Sequence, residues 1–448
     1  MKSFSSSSFA SDDAEILARA AKVVAKDPQA LFTDFQWYLY AGRDTVFYTC
    51  YSKTSWDQEA INSLVAQMVA LAPQLTHGFV GAKPGQPFPK NMLDAITSVE
   101  TVDSFEGYPD KMLGKSLDLF EHKDLPLFRV EVVNRRGGPD EHGRAAIIQV
   151  RSAHSLLEGS DSALLNRSQS ASHGIVSDRT VKVPLRDRVR GLGGASMMAG
   201  IHLFFAHVMS PEEKPWGFKT LAVERQRLRL VAQKFGVTQR AVYFALVTKA
   251  LFAGKPKGKK GEDPTVTAAY TLLGGQKKNE VDDDFFRVHI KGARFTEQDR
   301  SIADYVLHVE KVLAGADQRD VNEMQVRVNT MFSMHRRIHS VAPWIYGERF
   351  WRFGGRTDVV LTLVPPHRTY GPLSEHALEP IYCGAHHPSS NIVTYCPGRE
   401  YMTMSFSMEQ RHLGKIGNID ALLAELEAAP APERKPKAAA EAPEITEG

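Results

Sequence analysis

The run Ala145-Ala-Ile-Ile-Gln-Val150 is short, apolar and β-branched, and the loop signals Gly137-Gly-Pro139 and Gly143 precede it. Such a run reads as a buried strand. It leads into Arg151-Ser-Ala-His154, and an acid-glycine pair, Glu158-Gly159, follows before a helix-like piece from Ser160 to Asn166. A histidine at the exit of a buried strand sits where a side chain enters a cleft while the strand holds its position. Imidazole is also the side chain best matched to moving a proton near neutral pH. Gly159 permits a tight turn with positive φ, and Glu158 can anchor that turn by pairing with a cation, Arg151 being near in sequence. The competing reading, a structural histidine beside a strand, stays open on local pattern alone.

The rest of the chain alternates between strand and helix signals. Phe35-Gln-Trp-Tyr-Leu-Tyr40 and Thr45 to Tyr51 read as strands, and Trp56 to Ala72 as a helix ended by Pro73. Phe128 to Val133 and Ala145 to Val150 read as neighbouring strands across a turn-rich segment. Residues 168–200 are rich in Ser, Gly and basic side chains, and Gly191-Leu-Gly-Gly194 suggests a flexible crossover. A helix is expected from Leu221 to Phe235, stopped by Gly236, and another from a Thr238 cap to Leu251. Strands are expected at 265–273, 285–290, 358–364, 391–395 and 401–407, with helices at 301–313 and 419–428. Strands and helices mixed in two similar-sized halves imply an α/β architecture. The expected divisions are an N-terminal extension (1–30), a first subdomain (31–190), a crossover linker (191–215), a second subdomain (216–428) and a disordered tail (429–448).

At 448 residues, with 43% hydrophobic and 24% charged side chains, the chain can bury a large core. A net charge of +3 is too small to argue for nucleic acid. Cys50, Cys383 and Cys396 lack zinc-type pairing and fit a reducing, cytoplasmic interior. The N-terminus lacks the apolar core of a secretory signal, and 195–209 is too short to span a bilayer. Peripheral contact with a membrane or lipid droplet remains compatible with this sequence.

The segment Ala153-His154-Ser-Leu-Leu-Glu158-Gly159 resembles the His-His-x-x-x-Asp-Gly signature of the coenzyme A-dependent acyltransferase superfamily, which includes nonribosomal peptide condensation domains. The second histidine is kept; the first is alanine, and glutamate replaces aspartate. Other landmarks resemble those of the wax ester synthase/diacylglycerol acyltransferase branch, in the same order. Leu125-Pro-Leu-Phe128 resembles its Pro-Leu-Trp motif, and Gly236-Val-Thr-Gln-Arg240 its Gly-x-Thr-x-Asn-Asp helix start. Thr362-Leu-Val-Pro-Pro366 sits where the family has Ser-Asn-Val-Pro-Gly, and Tyr382-Cys-Gly-Ala385 and Tyr395-Cys-Pro-Gly398 resemble its closing strands. Gln239-Arg240 and Leu363 depart from the family pattern.

The resemblance implies two chloramphenicol-acetyltransferase-like subdomains with the active site in a tunnel between them. It implies His154 as general base in direct transfer of a long acyl group from acyl-CoA, a co-substrate with no permanently bound cofactor, to an alcohol or diacylglycerol. Glu158 and Gly159 would then support the loop that aims the imidazole, and Thr362 and Ser152 are candidate oxyanion or substrate contacts. Condensation-type transfer to an amine or carrier-bound acceptor, and a lipid-binding protein without catalysis, are the alternatives. Cys383, His386, His387 and His367 invite a zinc reading, but their spacing is not that of a usual site, and none is expected.

Overall fold

The computed structural model describes residues 34–71, 75, 88–114, 119–120, 125–156, 185–208, 215–252, 265–273, 288–296, 300–314, 318–346, 350, 358–363, 376–387, 390–398 and 400–432. The helix-like pieces expected at 12–26 and 160–166, the charged loop 255–261 and most of the expected tail lie outside them, as do Glu158, Gly159 and His367.

In chain order the elements are α1 (Asp34–Ala41), β1 (Thr45–Ser52), α2 (Gln58–Leu71), α3 (Lys90–Ile96), β2 (Thr97–Val102), α4 (Tyr108–Gly114), β3 (Phe128–Arg135) and β4 (Ala146–Ala153). Then come α5 (Leu185–Val208), β5 (Trp216–Glu224), α6 (Arg225–Phe235), α7 (Gln239–Phe252), β6 (Thr265–Leu273), β7 (Val288–Thr296), α8 (Ile302–Ala314) and α9 (Gln318–Val341). The chain continues through β8 (Val359–Leu363), β9 (Ala377–His386), β10 (Ile392–Pro397), β11 (Tyr401–Glu409), the single turn α10 (Gln410–Leu413) and α11 (Ile419–Ala428).

Two sheets organise the described residues. One has strand order β2-β3-β4-β1-β9, the other β5-β11-β10-β8-β6-β7. The α/β expectation therefore holds, with one crossing of the expected division: β9 comes from the C-terminal half yet pairs antiparallel with β1 of the N-terminal half. Every residue of β4 is buried, as the run of apolar side chains requires of a strand with neighbours on both edges. On one face Ala146, Ile148 and Val150 join Val46, Tyr48 and Cys50 beneath Ile61, Leu64, Val65 and Met68 of α2. Burying each large aliphatic side chain there contributes about 1.5–3 kcal/mol. The second core packs α6, α7, α8 and α11 onto the second sheet through Leu228, Phe244, Tyr305, Leu423 and Phe406.

Three local expectations are corrected. The aromatic segment expected as a strand at 35–40 is helix α1. Its rings find partners on α9 and the turn beyond it: Trp37 lies 5.1 Å from the His339 ring and 6.2 Å from that of Tyr346, and Tyr38 lies 4.5 Å from Phe332. Asp34 pairs with Arg336 at 3.3 Å. Packing against a long helix overrides aromatic β-propensity here. Helix α6 begins at Arg225 rather than Leu221, because 216–224 is edge strand β5, hydrogen-bonded along its length to β11. Its expected stop is found: Gly236 has φ 66 and ψ 31, the left-handed conformation that glycine adopts without Cβ strain. The glycine-rich crossover is not irregular but part of the continuous helix α5, which packs along α9. Tertiary contact offsets the helix-weakening effect of glycine, about 1 kcal/mol per residue.

Candidate active site

The register of the first sheet builds the site. β1 pairs with β4 through Thr45 and Ala153, and with β9 through Thr45 and His386. One residue past these pairs, the chain places Asp44, His154 and His387 in a row at the end of three adjacent strands. Asp44 is fixed first. Its amide donates to the Leu39 carbonyl at 3.0 Å, and its own carbonyl accepts the His154 amide at 2.8 Å. Arg43 before it has φ 58, a left-handed conformation unusual for a side chain of its size, which turns the chain sharply from α1 into β1.

The side chains converge as the backbones do. Asp44 Oδ2 lies 3.9 Å from His154 Nδ1, and Asp44 Oδ1 lies 3.3 Å from His387 Nε2. Asp44 is 8% exposed. The His154 side chain keeps 24% of its surface open, so solvent reaches it. With Nδ1 turned to the carboxylate, Nε2 has no protein partner among the described residues and is the nitrogen available to a ligand. Glycine at 42 makes room for this pairing: a Cβ there would stand 3.2 Å from Asp44 Oδ1 and 3.4 Å from His387 Nε2.

Behind His154 the sheet is polar. Arg151 of β4 is 4% exposed and pairs with Glu131 of β3 at 3.0 Å. Arg129 lies beside them; burial first, then the Arg151 charge, brings its pKa down to about 10. Across the middle of the sheet, Gln149 donates to Thr49 at 3.2 Å and to the Tyr382 hydroxyl at 2.8 Å, and that hydroxyl donates to the Pro109 carbonyl. A buried polar group needs such partners, and the row ties β4, β1 and β9 together five residues along each strand from the site.

The remaining candidates are placed as follows. Ser152 is buried and its hydroxyl donates to the Ala153 carbonyl at 3.0 Å. Thr362 is half-buried on β8, opposite Thr394 of β10. Neither is a bonding partner of His154, whose described polar contacts are all with Asp44. Cys383, His386 and His387 do not converge. Cys383 is packed in the core with Cys396, and His386 bonds the Ser407 hydroxyl at 2.7 Å between the rings of Trp216 and Phe218. Among the described residues no group of three or more His, Cys, Asp or Glu side chains is arranged to hold a metal ion. No described helix is long and apolar enough to cross a membrane.

Sequence reasoning singled out His154 but not Asp44. No motif marks a lone aspartate before a strand; only the strand pairing shows that it meets a histidine 110 residues on. His387 drew notice only within a Cys-His cluster that was weighed, and set aside, as a zinc site.

No family model matches the chain, and no curated protein matches it. Solved structures do. The first condensation domain of the calcium-dependent antibiotic synthetase, in complex with a substrate analogue, aligns over 90% of this chain and 97% of its own, with TM-score 0.50 and 12% identity. The nonribosomal peptide synthetase FmoA3 in its AMPPNP-bound form aligns over 91% of this chain but 44% of its own, with TM-score 0.51 and 13% identity. The wax ester synthase/diacylglycerol acyltransferase from Marinobacter aquaeolei VT8 aligns over 86% of this chain and 93% of its own, with TM-score 0.45 and 15% identity. At such identities the likeness is one of fold. The chain has the two-subdomain, chloramphenicol-acetyltransferase-like fold of condensation domains.

Proposed function

We propose that this protein is an acyltransferase that moves a long acyl chain from acyl-CoA to a hydroxyl acceptor, an alcohol or diacylglycerol, with His154 as general base. One observation carries the reading: an imidazole at a strand exit, open to solvent, with one ring nitrogen facing a carboxylate and the other without a partner among the described residues. The chemistry follows from that arrangement. Nε2 takes the acceptor's O–H proton as its oxygen attacks the thioester carbonyl carbon. The tetrahedral adduct collapses by breaking the C–S bond, and the coenzyme A thiolate leaves with the proton returned from the imidazolium. Ester and free thiol are the products, and no covalent enzyme intermediate is needed.

The Ser152 hydroxyl is committed to a neighbouring carbonyl, so Thr362 is retained as the candidate donor to the oxyanion. Glu158 and Gly159 keep the role of shaping the loop beyond His154. The acyl chain is assigned to a tunnel between the subdomains, where each buried methylene would contribute about 0.8 kcal/mol. Peripheral association with a membrane or lipid droplet goes with so apolar a substrate.

The test is thiol release from palmitoyl-CoA, with product analysis against long-chain alcohol, diacylglycerol and amine acceptors. His154→Ala is expected to lower the rate by about 100-fold or more. Full activity in that variant removes His154 as base. Amide formed in preference to ester moves the protein to condensation-type chemistry, and acyl-CoA binding with no product from any acceptor makes it a non-catalytic lipid binder.

A further inference from the structure

We propose that Asp44 is the positioning carboxylate of His154, and that His387 holds Asp44 in that task from the opposite side. The inference deepens the proposed function and rests on His154 being its base. Sequence reasoning assigned support of the histidine to Glu158, four residues on. Glu158 lies outside the described residues; among those described, Asp44, just before β1, is the acid that faces the ring.

Three observations carry this. The register of β1 with β4 and β9 places Asp44 between the two histidines, so the arrangement is built by the sheet rather than by a surface loop. The carboxylate is divided between two imidazoles, Oδ2 facing His154 Nδ1 at 3.9 Å and Oδ1 facing His387 Nε2 at 3.3 Å. Both the amide and the carbonyl of Asp44 are hydrogen-bonded, the carbonyl to the amide of His154 itself. The acid and the base therefore cannot drift apart without breaking a backbone bond.

A carboxylate facing Nδ1 favours the tautomer with the proton on Nδ1, which leaves the Nε2 lone pair to accept the acceptor's proton. The same charge favours the imidazolium that exists while the tetrahedral adduct lasts. At 3.9 Å the contact with His154 acts through charge and closes to a hydrogen bond with a small rotation of either side chain, as catalytic contacts tighten when substrate binds. His387 Nε2 faces Oδ1 at 3.3 Å, close enough to donate to it once aligned, and a carboxylate engaged on that side keeps Oδ2 turned to His154. It directly follows β9, among the described residues the one strand the C-terminal half gives to the first sheet, so the base is held by both halves of the chain.

The experiment uses the full chain with 15N-labelled histidine. In the wild type, the His154 ring signals, identified by their loss in His154→Ala, are expected to show the proton on Nδ1. In Asp44→Asn they are expected to show a mixture of tautomers. The same variant is expected to lower kcat for thiol release by about 100-fold with KM for acyl-CoA within about twofold. Asp44→Glu, which keeps the charge, is expected to recover part of that loss. Circular dichroism and the melting temperature separate these effects from misfolding, and Asp44→Ser repeats the test if asparagine is not tolerated. An unchanged His154 tautomer and an unchanged kcat in Asp44→Asn, with His154→Ala inactive, overturn the role of Asp44 and leave the base standing. Full turnover in His154→Ala overturns the base, and the tautomer reading then still decides whether Asp44 governs the ring.

Discussion

Two histidines are buried in the neutral form, and they should make the protein acid-sensitive by a calculable amount. His386, 2% exposed, accepts from or donates to Ser407 between two aromatic rings. His335, fully buried, sits between the Tyr346 hydroxyl at 2.7 Å and the His202 ring at 3.3 Å. In each, burial first and a neighbouring histidine second bring the pKa from 6.5 down to about 3. The unfolded chain takes up these protons below pH 6.5, whereas the folded chain resists until about pH 3. Between those values the unfolded state binds more protons, so stability present at pH 8 is lost as pH falls. At pH 5 the loss is about 2 kcal/mol for each histidine, about 4 kcal/mol for the two. The assay is urea unfolding followed by tryptophan fluorescence at steps from pH 8 to pH 5, on the wild type and His386→Asn. Asparagine reaches the Ser407 hydroxyl much as Nδ1 does but does not titrate. The variant starts less stable, yet its decline with acid should be shallower by about 2 kcal/mol over this range. Parallel declines in the two proteins would refute a neutral, buried His386.

Other expectations follow from single contacts. A Cβ at Gly384 would collide with the ring of Phe47, which is buried against Tyr382, so Gly384→Ala should destabilise the protein by about 1–3 kcal/mol, read as a lowered urea midpoint. Arg227 makes a two-pronged pair with Glu427 at 2.7 and 2.8 Å on the surface, and Arg227→Ala should cost no more than about 1 kcal/mol by the same measurement. Tyr305→Phe removes a buried hydroxyl that donates to Thr248 at 2.9 Å and should cost about 1 kcal/mol.

What the sequence showed and what it hid divide along local and non-local physics. Strands β3, β4, β8 and β10 were visible because a few β-branched residues in a row are enough to mark a buried strand. The α6 stop was visible because Gly236 alone carries the left-handed turn. Helix α1 was misread because its aromatic side chains owe their conformation to α9, some 300 residues away. The glycines of α5 were taken for a flexible link because its packing against α9 leaves no trace at those positions. The site divides in the same way. His154 stands at a strand exit and carries a recognisable neighbourhood, whereas Asp44 and His387 acquire meaning only when β1 is flanked by β4 and β9.

The seating of β9 beside β1 has a practical consequence for anyone wishing to dissect this protein into modules. A fragment cut between the two halves, near residue 210, would lose β9 and expose the free edge of β1 along seven paired positions, a template for adventitious strand addition. Such a fragment should aggregate when made by itself and regain solubility on co-expression with its complement. Swapping one half for that of a distant relative would succeed only if residues 377–387 travelled with the sheet they complete.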